Sequence, residues 1–264
     1  MGEAIVITSG KGGVGKTTTT ANLGAALATM GHRIVLVDAD IGLRNLDVVL
    51  GLENRIVYDL VDVVEGFAKL KHALIKDKRF ETLYLLPAAQ TKDKTAVSPE
   101  QMRQLIIELK ADFDFVVIDC PAGIEQGFRN AIAGADRALV VATPEVSSVR
   151  DADRIVGLLE ANELGKPSLI INRIRPTMVR KGDMMDIDDM IEILAIPLIG
   201  VVPEDEGIVV STNRGEPVAL SPGSRAGEAY RDIARRVLGE TIPFLPITEA
   251  GLFSRLRRMM GMKG

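Results

Sequence analysis

Ile5–Thr20 reads IVITSGKGGVGKTTTT, and the reading of this stretch decides the fold. An apolar run of strand type, Ala4 to Thr8, ends in a glycine-rich turn. The turn leads into Lys16, Thr17 and a helical pattern that continues Ala21, Leu23, Ala25, Ala26, Leu27. Gly10 to Thr17 fits G-x-x-x-x-G-K-[ST] in the strand–loop–helix setting that this phosphate-binding motif requires. Gly12, Gly13 and Gly15 carry no side chain, so backbone N–H groups can curl round a phosphate. The helix start adds partial positive charge at the same point. Lys16 can reach the β- and γ-phosphates, and the Thr17 hydroxyl suits Mg²⁺. Motif and setting agree, which weighs against a glycine turn without chemistry.

Lys11 is a second lysine inside the loop, and holding phosphates does not require it. KGGVGKT resembles the deviant Walker A loop of the MinD/ParA-type ATPases. The resemblance implies ATP and Mg²⁺ as cofactors, with Gly10, Lys11, Gly12, Gly13, Val14, Gly15, Lys16, Thr17 and Thr18 around the nucleotide. It also implies an ATP-dependent homodimer, in which Lys11 crosses the interface to the other subunit's nucleotide. The plainer reading of Lys11 is a solvated loop lysine.

The 264 residues allow one α/β domain or two small ones. With 47% hydrophobic and 26% charged residues, the composition is that of an ordinary globular protein. A formal net charge of −4 supplies no global basic field for nucleic acid. A single cysteine, Cys120, rules out an intrachain disulfide and suits a reducing cytoplasm. No apolar run approaches the ~20 residues of a spanning helix. The N-terminal run reads as a strand rather than a signal peptide, because Glu3 interrupts it. Val6 stands where a myristoylation signal wants Ser or Thr.

Ligands of open parallel sheets gather at the carboxyl ends of strands. Arg33–Val37 reads as a strand that ends at Asp38-Ala39-Asp40, followed by Gly42 to Asp47 as an exposed loop. DADIGLRNLDVVLGL resembles the division-site branch of the same family, which implies that Asp40 orients the attacking water and that Asp38 lies near Mg²⁺. A lone Asp40 would read as a helix cap or Asx turn. Phe113–Ile118 reads as a buried strand ending at Asp119, whose carboxylate would hold Mg²⁺ through water. Cys120-Pro121-Ala122-Gly123 completes D-x-x-G, where the Gly123 N–H could sense a γ-phosphate. Cys120 itself reads as a packed residue rather than a nucleophile.

Further segments complete the alternation. Val57–Val64 and Lys69–Ile75 read as short helices, Leu83–Leu86 as a strand, and Ser98-Pro99-Glu100 as a helix start. Arg137–Thr143 is a strand, and Ser147 to Glu163 a helix with Val149, Ala152, Ile155, Val156 and Leu159 inward. PEVSSVRDADR resembles the family helix that receives a MinC-like inhibitor and a MinE-like activator, so Asp151 and Asp153, with Arg44 and Asn45, form an expected partner surface. A solvated charged face is the plainer account of the same residues. Ser168–Ile171 is a strand ending at Asn172, which in the family reads the adenine edge. A polar connection, Arg175 to Asp183, leads to a helix at Ile187–Leu194 and a strand at Pro197–Val202. Pro203, Glu204 and Asp205 stand where relatives wrap the base. The last helix runs from Ser224 to Leu238. Strand–helix alternation implies right-handed crossovers and one doubly wound α/β fold, with a mostly parallel sheet of seven or eight strands in residues 1–243.

Pro243 and Pro246 break regular structure, making residues 244–249 a linker. In residues 250–264, Leu252, Phe253, Leu256, Met259 and Met260 share one helical face, flanked by Arg255, Arg257 and Arg258. That is a basic amphipathic helix suited to anionic lipid at a membrane surface. Each apolar side chain gains at most ~1.5–3 kcal/mol on burial, against ~1–2 kcal/mol per residue for ordering the backbone. One tail should therefore bind weakly, and two on a dimer should bind through effective concentration.

The resemblance implies a slow, partner-stimulated ATPase, cytoplasmic and peripheral on the inner membrane face. By resemblance it recruits a division inhibitor to place the division site under a MinE-like activator or another topological regulator. A ParA-like DNA-segregation ATPase is disfavoured by the net charge and the tail, so no specific nucleic acid is expected. The nitrogenase iron protein shares the loop but needs two cysteines per subunit for its shared cluster. A flagellar-number regulator resembling FlhG stays open.

Overall fold

The computed structural model describes residues 2–165 and 167–246. The first strand, β1 (Glu3–Thr8), is flanked by β5 (Phe115–Asp119) and β6 (Arg137–Ala142). Beyond β5 lie β2 (Ile34–Asp38), β4 (Leu83–Leu86) and β3 (Ile75–Lys76). Beyond β6 lie β7 (Ser168–Ile174) and β8 (Leu198–Pro203). The order is β3-β4-β2-β5-β1-β6-β7-β8, parallel at every pairing except β3 with β4. The chain turns from one half of the sheet to the other around β1, which makes the carboxyl end of β1 the natural crevice for a ligand.

Alternate residues of each strand enter separate cores, as the strand period of two dictates. Ala4 and Val6 face one side of the sheet, Ile5 and Ile7 the other. Helices α1 (Lys16–Thr29), α2 (Leu46–Leu50), α10 (Glu206–Asn213) and α11 (Arg225–Val237) lie with the second core. Helices α3 (Leu60–Val64), α4 (Leu70–Ala73), α5 (Pro99–Asp112), α6 (Gln126–Ile132), α7 (Val146–Ala161), α8 (Pro176–Lys181) and α9 (Ile187–Leu194) lie with the first. All five residues expected inward on α7 are buried. The expected start of α5 is a capping box: the Ser98 hydroxyl accepts from Gln101 N–H, and the Gln101 side chain accepts from Ser98 N–H.

Several expectations are corrected. Ile75–Lys76 is not the end of a helix but a two-residue antiparallel edge strand, too short to show a period. Helix α3 begins at Leu60 rather than Val57, because the Asp59 carboxylate caps it. The stretch expected as exposed loop turns into α2 at Leu46, and both Leu46 and Asp47 are buried. Its cap comes from a distance: Asp38 Oδ2 accepts from the N–H groups of Asn45 and Leu46 at 3.2 and 3.1 Å. Pro176–Lys181 is a helix with proline in its first turn and Gly182 as left-handed cap. After α11 the chain stays on the surface: the Arg236 guanidinium donates to the Pro243 carbonyl at 2.9 Å and stacks 4.1 Å from the Phe244 ring centre. The expected helix at 250–264 lies outside the described residues.

Candidate functional site

The loop between β1 and α1 is closed by its own polar atoms. Gly13 and Gly15 have φ of 77° and 102°, the left-handed region that glycine enters without strain. A Cβ on Gly15 would collide with the Asn172 amide. That amide fixes the loop: Nδ2 donates to the Val14 carbonyl at 2.7 Å, and Oδ1 accepts from Arg173 N–H at 3.0 Å. The Ser9 hydroxyl donates to the Lys11 carbonyl at 2.7 Å. Lys16 is buried, and its Nζ donates to Ser9 Oγ at 3.0 Å and to the Lys11 carbonyl at 3.4 Å. An ammonium held against a glycine-rich loop at a helix start is a setting that favours an anion.

Asp38 and Asp119 end β2 and β5 as direct register partners. They are 1% and 2% exposed, so two carboxylates lie side by side out of water. Burial first, then the Asp38 charge, pushes Asp119 up to about 8, although Thr17, Lys16 and Thr20 pull the other way. Burial also raises Asp38, to about 6, against backbone hydrogen bonds from Asp40, Leu46 and Asn45. Such a pair is favoured in its ionised form by a cation. Among the described residues no three His, Cys, Asp or Glu gather as a metal cage. One or two carboxylates beside a phosphate cradle is a donor set that fits Mg²⁺ shared with phosphate oxygens.

Asp40 lies on the loop that leaves β2. Its Oδ1 is buried without a hydrogen-bond partner, and Lys94 Nζ stands 3.8 Å away. Burial raises its pKa, opposed by Lys94 and Lys16. Lys11 is exposed and rests within its own chain, 3.3 Å from Ser147 Oγ and 3.7 Å from Glu145 Oε2 at the start of α7. Gly123, at φ 95°, lies on the loop after β5, whose Ala122 Cβ faces Gly12. Cys120 is buried beside Thr8, and burial holds its thiol up at about 12, so the reading as a packed residue stands.

A cavity of about 580 Å³ opens where β7, β8 and α11 meet, lined by Ile174, Pro203, Glu204, Asp205, Gly223 and Ser224 among others. This brings Pro203, Glu204 and Asp205 to one wall. Burial raises the Asp205 carboxyl, but hydrogen bonds from Ser224, Gly207 and Ala226 outweigh it and hold the pKa below the ordinary value. Asn172 does not line this cavity; its side chain faces the loop instead. A second cavity of about 590 Å³, beside Thr143, Glu145 and Met178, is divided from the first by the Arg175–Glu204 ion pair at 3.6 Å.

On the expected partner surface, Asp153 is exposed and Asp151 half-buried. Helix α7 packs so closely on the loop that a Cβ on Gly10 would overlap the Asp151 backbone. Arg44 is half-buried, with Nε 2.8 Å from Asp47 Oδ2, and Asn45 is exposed. Leu252, Phe253, Arg255, Leu256, Arg257, Arg258, Met259 and Met260 lie outside the described residues. Among the described residues no helix is long and apolar enough to cross a membrane. Sequence reading missed Ser9, Thr20, Lys94, Glu145, Ser147 and Ser224. Only Ser9 and Thr20 carried a local signal, their places just outside the Gly10–Thr17 motif.

The family model of the CobQ/CobB/MinD/ParA nucleotide binding domain matches residues 5–218. Over the full length of both chains, the sequence is 60% identical to the septum site-determining protein MinD of Bacillus subtilis (strain 168). Its fold is similar to that of MinD in the MinC:MinD cell division protein complex of Aquifex aeolicus, with a TM-score of 0.87 and 50% identity, covering 92% of this chain and 99% of that one. It is also similar to the septum site-determining protein MinD complexed with Mg-ADP from Pyrococcus horikoshii OT3, with a TM-score of 0.82 and 34% identity, covering 90% and 96%. The mostly parallel sheet with flanking helices is therefore that of a nucleotide- and Mg²⁺-binding P-loop ATPase fold, and the chain belongs to the MinD/ParA family, among its MinD-type members.

Proposed function

We propose that the chain is an ATPase of division-site placement that dimerises on ATP and, as a dimer, holds to anionic lipid on the inner face of the cell membrane. The observation that carries this reading is the phosphate cradle beside the buried Asp38–Asp119 pair, with Lys11 displayed at its rim. The amides of residues 10–18 and the Lys16 ammonium bind the phosphates. The Thr17 hydroxyl and, through water, Asp119 hold Mg²⁺, and Asp38 lies next to them. Bound Mg²⁺ supplies neutralisation of phosphate charge.

Asp40 offers a buried acceptor oxygen without a hydrogen-bond partner, which suits orienting a water for attack on the γ-phosphate. Gly123 presents its N–H as a sensor of that phosphate. Asn172, which braces the loop rather than lining the cavity, retains a second amide hydrogen that can meet the base edge from the loop side, and Pro203–Asp205 form the wall against the base. Lys11 leaves Glu145 and Ser147 and balances transition-state charge in the other subunit. Turnover is slow because this cation must arrive in trans. A MinC-like inhibitor and a MinE-like activator, or another topological regulator, read Arg44, Asn45, Asp151 and Asp153. The similarity to the A. aeolicus protein of the MinC:MinD complex supports an inhibitor as partner. Residues 1–243 form the ATPase domain, 244–249 the linker and 250–264 the membrane-targeting helix.

Light scattering on the full-length protein tests the assembly step. ATP with Mg²⁺ should double the mass, ADP should not, and Lys11→Ala should remain monomeric with either. A wild-type protein that stays monomeric in ATP contradicts the reading.

A further inference from the structure

Arg79 is remote in sequence from the phosphate loop, yet it joins two helices that border the site. The buried Asp77 carboxylate holds its guanidinium, with Nε donating to Oδ1 at 3.0 Å. Nη2 also donates to Asp77 Oδ2 at 2.5 Å, and the same fork donates to two carbonyls: Nη1 to Gly215 at 2.6 Å and Nη2 to Leu50 at 2.8 Å. Leu50 is the last residue of α2, and Gly215 lies just past the end of α10. Two helix C-termini therefore meet here, each carrying partial negative charge, and they repel unless a cation lies between them. A planar guanidinium can serve both carbonyls at once, which an ammonium cannot do with fixed geometry. The backbones approach this closely because Gly51 and Gly215 face one another. Both have positive φ, and a Cβ on Gly51 would stand 3.2 Å from Gly215 Cα.

The far ends of these helices are the two halves of the site. Helix α10 is capped at its start by Asp205, a residue of the 580 Å³ cavity wall whose carboxylate accepts from Gly207 N–H. Helix α2 starts at Asn45 and Leu46, whose N–H groups donate to Asp38, as does Asp40 N–H at 3.0 Å. A continuous line of hydrogen-bonded structure thus runs from the cavity wall, through α10, Arg79 and α2, to the loop that carries Asp40. We propose that Arg79 is a positioning residue through which a base in the cavity sets the position of Asp40. This rests on reading the cavity as the base site and Asp40 as the residue that orients water.

Hydrogen exchange of residues 39–51 in the wild-type protein tests it, with saturating ADP compared with saturating pyrophosphate, which fills the loop alone. ADP should slow exchange there about tenfold more than pyrophosphate does. In Arg79→Lys, which keeps the charge and lacks the fork, that excess should vanish. Its kcat for ATP should fall about tenfold while KM stays within about twofold, as for a displaced reacting group. A merely structural staple would lower thermal stability and leave the ADP excess in place. Equal slowing by ADP and pyrophosphate in the wild type overturns the proposal, as does a folded Arg79→Lys with unchanged kcat. If Arg79→Lys does not fold, the wild-type comparison decides alone. Calorimetry that finds no ADP binding would remove the base-site reading itself, a result distinct from binding without the excess.

Discussion

Asn172 shows how one side chain serves a whole loop: its amide donates to Val14 and fills the space beside Gly15. Gly15→Ala therefore meets both a left-handed φ and an occupied site. It should cost about 2 kcal/mol or more of stability and abolish ADP binding; denaturant midpoints and calorimetry check each part. The same scale holds an alkaline weakness. Burial first, against a hydroxyl partner in each case, keeps Cys120 up at about 12 from 9.0 and Tyr230 up at about 12 from 10.0. Both hold their protons more tightly in the folded chain than in the unfolded one. Their contribution is complete below pH 9 and is lost as pH rises toward 12. Urea midpoints should fall between pH 9 and pH 12 by more than Cys120→Ala shows over the same range. Residue chemistry was legible where it was local: Lys16 and Thr17 follow from the loop motif, and Asp119 from its place at a strand end. The partners of Lys11 were not, because Ser147 stands 136 residues away.

At the scale of elements, caps mark what sequence can announce. Ser98-Pro99-Glu100 announced the start of α5, and the structure adds Gln101 as the other half of a local capping box. Ser98→Ala should cost about 1 kcal/mol of stability and leave ATP turnover unchanged, since α5 lies on the sheet face away from the loop helix α1; thermal melts and steady-state assays check this. Helix α2 is the opposite case. Its cap is Asp38, at the end of a strand, and its C-terminus is held by Arg79. Neither relation has a local signature, so the stretch read as loop. The short edge strand β3 escaped for a related reason, since pairing with β4 and not its own period makes Ile75–Lys76 a strand.

For the whole molecule, the sheet order brings the ends of β1, β2 and β5 together and sets the cavity at β7 and β8 beside them. Alternating apolar strands and helices were enough to read a doubly wound, mostly parallel sheet but not the strand order, and the cavities depend on loops meeting across the sheet. Nucleotide and Mg²⁺ bind the folded chain, so ADP at a hundredfold excess over its Kd should add about 2.7 kcal/mol of stability. Chelating Mg²⁺ should remove part of that gain, as melting with and without chelator would reveal. The central claim is that ATP, by assembling two copies, governs attachment to lipid. Co-sedimentation with anionic liposomes tests it most directly, using the full-length protein and a version ending at Glu249, each with ADP and with ATP. The account predicts that full-length protein pellets with ATP and that the other three samples stay in solution. Equal pelleting of the full-length protein in ADP and ATP, or pelleting of the shortened chain, would contradict it.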